Sequence, residues 1–164
     1  MELIMNANIW MYLCLILGLS SALVGGVFQA FSDFVMRGLA RCDSAAGIQA
    51  MQHINKTVFK SVFLYTFLAL MPASIVFAFL TPNMFETGQY LVWMAAAIYG
   101  ITVFGVTIIG NVPMNENLDR LNCSNPESHD YWIHYVKQWT HLNHIRTLGA
   151  IAVAICYLVA AVTI

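Results

Sequence analysis

The sequence carries little charge. Asp, Glu, Lys and Arg make up 9% of its 164 residues, where a soluble domain carries about 25%. Seven basic residues against eight acidic ones leave a formal net charge of −1. No basic field is available to hold nucleic-acid phosphates, which excludes a nucleic-acid partner. The four cysteines, Cys14, Cys42, Cys123 and Cys156, form no CxxC or similar cluster and read as four separate thiols. There is no internal repeat, low-complexity tract, P-loop, dinucleotide fingerprint or G-x-S-x-G. What is abundant is apolar. Hydrophobic residues make up 60% of the chain, and the mean hydropathy is +0.71. A soluble domain of this size could not hide that much apolar surface. These proportions exclude a soluble globular enzyme, a disordered chain and a coiled coil. They leave an integral membrane protein whose main partner is the lipid bilayer.

Four stretches without Asp, Glu, Lys or Arg can cross a bilayer: Ile9–Phe31, Ser61–Leu80, Leu91–Ile109 and Leu148–Ile164. A spanning helix needs about 20 apolar residues. The first has no positive n-region and exceeds a signal-peptide core, so we expect it to be a permanent helix. The predicted fold is an all-α membrane protein, a single four-transmembrane-helix bundle over residues 1–164 with short cytoplasmic helices. All seven basic residues fall between spans 1 and 2 (Arg37, Arg41, Lys56, Lys60) or between spans 3 and 4 (Arg120, Lys137, Arg146). Positive-inside bias then places both termini outside and both basic segments in the cytoplasm of a bacterial-type inner or plasma membrane. Pro82, Asn83, Glu86 and Gly88 suit a short outer turn.

Periodicity extends the helices into the polar segments. Ile48, Met51, Ile54 and Val58 predict a helix within 45–60, and Ile133, Val136, Trp139, Leu142 and Ile145 predict one that runs directly into span 4. Pro113 is expected to kink or stop helix 3, because it cannot donate to the carbonyl four residues back. Gly18, Ala22, Gly26 and Ala30 are four apart, with a shorter echo at Ala96 and Gly100. Such a stripe allows close helix packing, within the bundle or between two copies of the chain.

Polar chemistry gathers at the predicted cytoplasmic end. His53, His129, His134, His141 and His144 all lie there, as do Asn55, Asn111, Asn115, Asn117 and Asn143. Arg146 precedes a short last span and is drawn to the edge of the apolar layer. It either snorkels to anchor the helix or faces a binding site. Asn111 and Asn115, four apart around Pro113, either cap a helix end or aim two amides into a cavity. Asp33 and Arg37, also four apart, can form a local salt bridge. In the alternative, Asp33 turns inward and is the carboxylate that an arginine near hydrocarbon calls for, and we expect it to partner Arg146. His141 and His144, three apart, could hold a metal ion or haem with His53 as third ligand, although HxxH alone is a weak motif.

These positions resemble the anthrone oxygenase-like membrane proteins of the DUF1772 group. The matching residues are Phe31-Ser32-Asp33-Phe34-Val35-Met36, Met51 with Ile54-Asn55, Asn111-Val112-Pro113-Met114-Asn115 with Leu118, and Trp139 with Asn143-His144-Ile145-Arg146-Thr147. One departure is Leu142, where the family pattern has an aromatic residue before the asparagine. The resemblance implies a four-helix membrane fold and, in some members, oxidation of an anthrone to an anthraquinone by oxygen. Such a reaction can proceed without a cofactor: a base removes an acidic C–H proton, and the carbanion reacts with oxygen. The site would need a base, oxyanion donors and a dry pocket for a lipophilic small molecule. We expect His144 as base, with His141 behind it, and Arg146, Asn111 and Asn115 as oxyanion donors. Asn55, Asn143, Asp33 and Trp139 complete the substrate-binding candidates. The alternatives are a structural or assembly subunit, a small transporter, or a His-ligated metal or haem protein.

Overall fold

The computed structural model describes residues 2–81, 86–123 and 125–163, and within them no strand occurs. The helices are α1 (Glu2–Ala30), α2 (Met36–Leu39), α3 (Ser44–Thr57), α4 (Val62–Leu80), α5 (Glu86–Ile98), α6 (Val112–Asp119) and α7 (Pro126–Thr163). Wide π turns at Phe31–Val35, Tyr99–Gly105 and Thr107–Asn111 join α1 to α2 and α5 to α6 without a break in the rods. Four described rods are long and apolar enough to cross a membrane: Asn8–Leu39, Val62–Leu80, Thr87–Asp119 and Pro126–Thr163. Their outward faces are apolar, with Leu19, Leu23, Phe79, Ile101 and Leu148 all largely exposed. Water would not tolerate that surface and lipid does, so the chain is an integral membrane protein. Pro82 and Asn83 of the expected outer turn lie outside the described residues.

Three of the four rods are longer than the bilayer requires, and only Val62–Leu80 merely matches it. At about 1.5 Å per residue, α7 is about 57 Å long against a hydrocarbon core of about 30 Å. The excess creates two cores. The larger one lies among the spans and includes Val24, Phe28, Phe67, Tyr99, Val103, Val153 and Tyr157. The smaller one is built where α3 and α6 cover the polar half of α7, from Met36, Ile48, Met51, Leu118, Trp132, Tyr135 and Trp139. Within 45–60 the periodic positions Ile48, Met51 and Ile54 do belong to this second core, but within 130–147 only Val136 and Trp139 of the expected stripe do: Ile133 is exposed, and the buried face is Trp132, Tyr135 and Trp139. The segment 130–147 does continue into span 4 as one helix. At Gly47, α3 comes so close to α7 that a Cβ would lie 2.7 Å from Trp132 Cζ2. Gln52 donates to the carbonyls of Leu118 (2.9 Å) and Leu121 (3.1 Å). Those bonds tie α3 to the carbonyls at the end of α6.

Two expectations are corrected. Of the two outcomes expected at Pro113, the helix does not stop there, because the preceding turn widens: the Val112 N–H reaches the Thr107 carbonyl, five residues back. A wide turn relieves the crowding between the proline ring and the carbonyl behind it, and the helix runs on as α6. The small-residue stripe on α1 does not face one neighbour. A Cβ at Gly18 would meet Leu158 at 3.2 Å, and one at Gly25 would meet Ala150 at 3.2 Å, but one at Gly26 meets nothing within 4 Å. Steps of four residues drift by about 40° each at 3.6 residues per turn. By Gly26 the stripe has therefore rotated away from α7, and Gly18 and Gly25 make the close seam instead.

Candidate functional site

A cavity of about 300 Å³ opens at the end of the bundle where α3 and α6 cover α7. Its walls are largely aromatic. Phe28 and Phe31 come from the first rod, and Phe63 and Phe67 come from α4, with Trp139 on α7. Phe28 meets Phe63 edge-on at 5.6 Å, and Phe31 tilts against Trp139 at 5.8 Å. The exposed side chains of Lys56, Phe59, Glu116 and Asp119 mark the mouth. Lys56 Nζ bridges it to Asp119 Oδ1 at 2.7 Å.

The floor is Arg146, 5% exposed. Its guanidinium lies over the Phe28 ring at 4.4 Å and the Trp139 ring at 5.1 Å. Face contact with two aromatic rings is favourable for a cation. It donates to Asn143 Oδ1 and, at 3.3 Å, to Thr107 Oγ1, while its Nε has no partner. Asn143 is itself fixed, because its Nδ2 donates to the Phe28 carbonyl and to Ser32 Oγ, both at 2.6 Å. Arg146 thus receives neutral acceptors only: among the described residues no carboxylate pairs with it. A guanidinium does not readily lose its proton, so the cavity has a buried positive charge without a fixed counter-ion.

Two amides supplement it. Asn115 Oδ1 accepts from the Tyr135 hydroxyl (2.7 Å) and from Trp139 Nε1 (2.9 Å). An indole N–H only donates, which fixes this orientation and leaves the amide NH2 as what Asn115 can offer the cavity. Asn55 also lines it, with a buried Nδ2 that has no hydrogen-bond partner. The wide turn before α6 brings Thr107 onto this face. Thr107 and Val112 are five apart and joined by the i to i+5 hydrogen bond, and both line the cavity. In a regular α-helix two residues five apart point about 140° away from each other.

The sequence-predicted residues therefore divide. Arg146, Asn115, Asn55 and Trp139 meet in the cavity. Asn143 lies behind Arg146 and positions it. Asn111 is buried but gives its Nδ2 to the Trp139 carbonyl at 3.3 Å and does not line the cavity. Asp33 does not partner Arg146. It pairs with Arg37, one turn on, with both side chains more than half exposed. The local bridge wins because Asp33 stays at the surface, where pairing needs no desolvation. His141 and His144 are exposed and line a separate groove with Arg37 and Lys137. His144 and Arg146 are two residues apart, about 200° around a helix, so the expected base and oxyanion donor point opposite ways. His53 is exposed on α3, and among the described residues no three His, Cys, Asp or Glu side chains gather in a metal-binding group. Phe28, Thr107, Glu116 and Tyr135 went unread in the sequence. Trp139, Asn143 and Arg146, spaced four and three, carried the signal that could have found their shared face.

These features define a class: a four-helix membrane protein with an aromatic-walled cavity at one end and an unpaired arginine at its floor. The model of the anthrone oxygenase family matches residues 49–156, about two thirds of the chain. The chain belongs to that family, the DUF1772 group. No curated protein and no solved structure matches it.

Proposed function

We propose that the chain is a membrane-embedded oxygenase that oxidises a lipophilic cyclic C–H acid of the anthrone type in the Arg146 cavity. The observation that carries this reading is the buried guanidinium without a carboxylate, set in an aromatic-walled space, in a member of this family. A ring methylene flanked by an aromatic ketone loses a proton to give an enolate, whose charge sits on oxygen. Arg146 and the Asn115 amide supply donors for that oxygen, and the aromatic walls keep water from competing for it. Of the acid–base side chains at the cavity, Lys56 and Asp119 are tied to each other. That leaves the Glu116 carboxylate at the mouth as the proton acceptor. The carbanion form the C–O bond with oxygen, and the resulting hydroperoxide loses its remaining C–H proton as its O–O bond breaks. The balance is one CH2 and one O2 to one C=O and one H2O. No external reductant enters it.

A purely structural role for these polar groups would be better served by a filled core than by an open cavity. The orientation we propose places the cavity end in the cytoplasm, because all seven basic residues lie on that side. The test is oxygen uptake and quinone absorbance with an anthrone and detergent-purified protein. Turnover should be present in the wild type and fall by about 10²–10³ in Arg146→Met, the usual effect of losing an oxyanion donor. Absence of turnover by the wild type with a panel of anthrones, or unchanged turnover by Arg146→Met, would refute the reading.

A further inference from the structure

We infer that a second site, on the opposite face of α7, holds the headgroup of an anionic phospholipid. The groove lies between the α2 end of the first rod and α7, and Arg37, Lys137, Gln138, Thr140, His141 and His144 supply its polar lining. Lys137, His141 and His144 are four and three residues apart, on one face of one helix, and Arg37 approaches from the other wall. Arg37 is held by Asp33 through one guanidinium nitrogen, which leaves its remaining N–H groups for another acceptor. The buried Thr140 Oγ1 has no hydrogen-bond partner.

Depth and continuity identify the ligand. Lys137, eleven residues before the last apolar run, stands about 16 Å outside the hydrocarbon at helical rise and forms the outer rim of the notch, whereas Arg37, six residues beyond the first run, and His144, four residues before the last, stand about 6–9 Å outside it. That is the headgroup layer. The same ridge of α7 then continues into the membrane as Leu148, Ile151, Ile155, Leu158 and Val162, all exposed. A cationic notch at headgroup level continuous with an apolar rail fits a phosphodiester carrying acyl chains. A free phosphate would use only the notch. Basic notches between membrane helices at this level are suited to anionic lipid headgroups.

The experiment is native mass spectrometry of the detergent-purified full chain titrated with phosphatidylglycerol or phosphatidylcholine. Phosphatidylglycerol should be retained in preference. Arg37→Gln should weaken it about fivefold, Lys137→Gln, farther from the surface, by less, and the double variant by more than either, whereas Arg120→Gln, a basic residue outside the groove, should leave it unchanged. Replacing exposed side chains should leave the melting temperature in place; should the double variant fold poorly, the single variants carry the same comparison. Millimolar glycerol phosphate should not displace the lipid. Equal retention of phosphatidylcholine, equal weakening by Arg120→Gln, or displacement by glycerol phosphate would each overturn the assignment. The Arg146 cavity plays no part in this measurement, so its result is independent of the oxygenase reading.

Discussion

Arg146→Met separates two reasons for placing an arginine inside a bundle. Where a buried arginine is ion-paired, removing it strands an acid, and the loss is about 3–5 kcal/mol. Arg146 has no carboxylate beside it among the described residues, so that penalty is absent. The substitution removes a charge-assisted bond to Asn143, about 1.5–3 kcal/mol, and a weak one to Thr107 at 3.3 Å. It also removes the desolvated face contacts with Phe28 and Trp139, up to about 2 kcal/mol each. Against these losses stands relief from burying a guanidinium that is 5% exposed, itself several kcal/mol. The opposing contributions are of similar size, and methionine occupies much of the space of the aliphatic stem. Stability should therefore change by no more than about 1.5 kcal/mol. At about 2–4 °C per kcal/mol for a chain of this length, the melting temperature in detergent should move by about 6 °C or less. A fall beyond about 10 °C would refute the reasoning, because it would show that Arg146 holds the fold together through a partner the geometry does not contain.

Asn143→Ala should behave differently. It strips two bonds at 2.6 Å from the Phe28 carbonyl and Ser32 and leaves Arg146 less supported, so a loss of about 2–4 kcal/mol is expected in denaturant or thermal unfolding. Gly149→Ala would put a Cβ 1.9 Å from Thr102 Oγ1 and should cost about 1–3 kcal/mol by overpacking. Gly26→Ala meets open space and should gain up to about 1 kcal/mol from helix propensity; a matching loss in both glycine variants would mean that both faces are packed. Asp33→Ala removes only an exposed pair, so its effect should stay below about 1 kcal/mol and add to that of Arg146→Met in a double-mutant cycle. For orientation, single cysteines at 56 or 120 in a cysteine-free background should resist an impermeant reagent applied to whole cells while one at 87 reacts. The reverse pattern would invert the topology.

The sequence alone determined the elements. Four uncharged apolar runs became four membrane-length rods, and the spacing of Ile133, Val136, Trp139, Leu142 and Ile145 announced that the last rod begins well before its apolar part. These are properties of one helix at a time, governed by local hydrogen bonds and by solvent. The grouping of Trp139, Asn143 and Arg146 on one face was legible for the same reason. So was the separation of His144 from Arg146, since two residues turn a helix through about 200°; proximity in the chain concealed distance around the axis. Tertiary structure decided how each rod is rotated against its neighbours. That rotation places Asn143 against Phe28 and Ser32, more than a hundred residues away in sequence, and chooses Gly25 over Gly26 for the close seam. It leaves Asp33 at the surface and Arg146 within. The wide turn at Thr107–Asn111 further shifts which side chains of the third rod reach the cavity. Local helix chemistry sets which residues share a face. Only packing between helices, through side-chain volume and the need to satisfy buried polar groups, sets what that face meets.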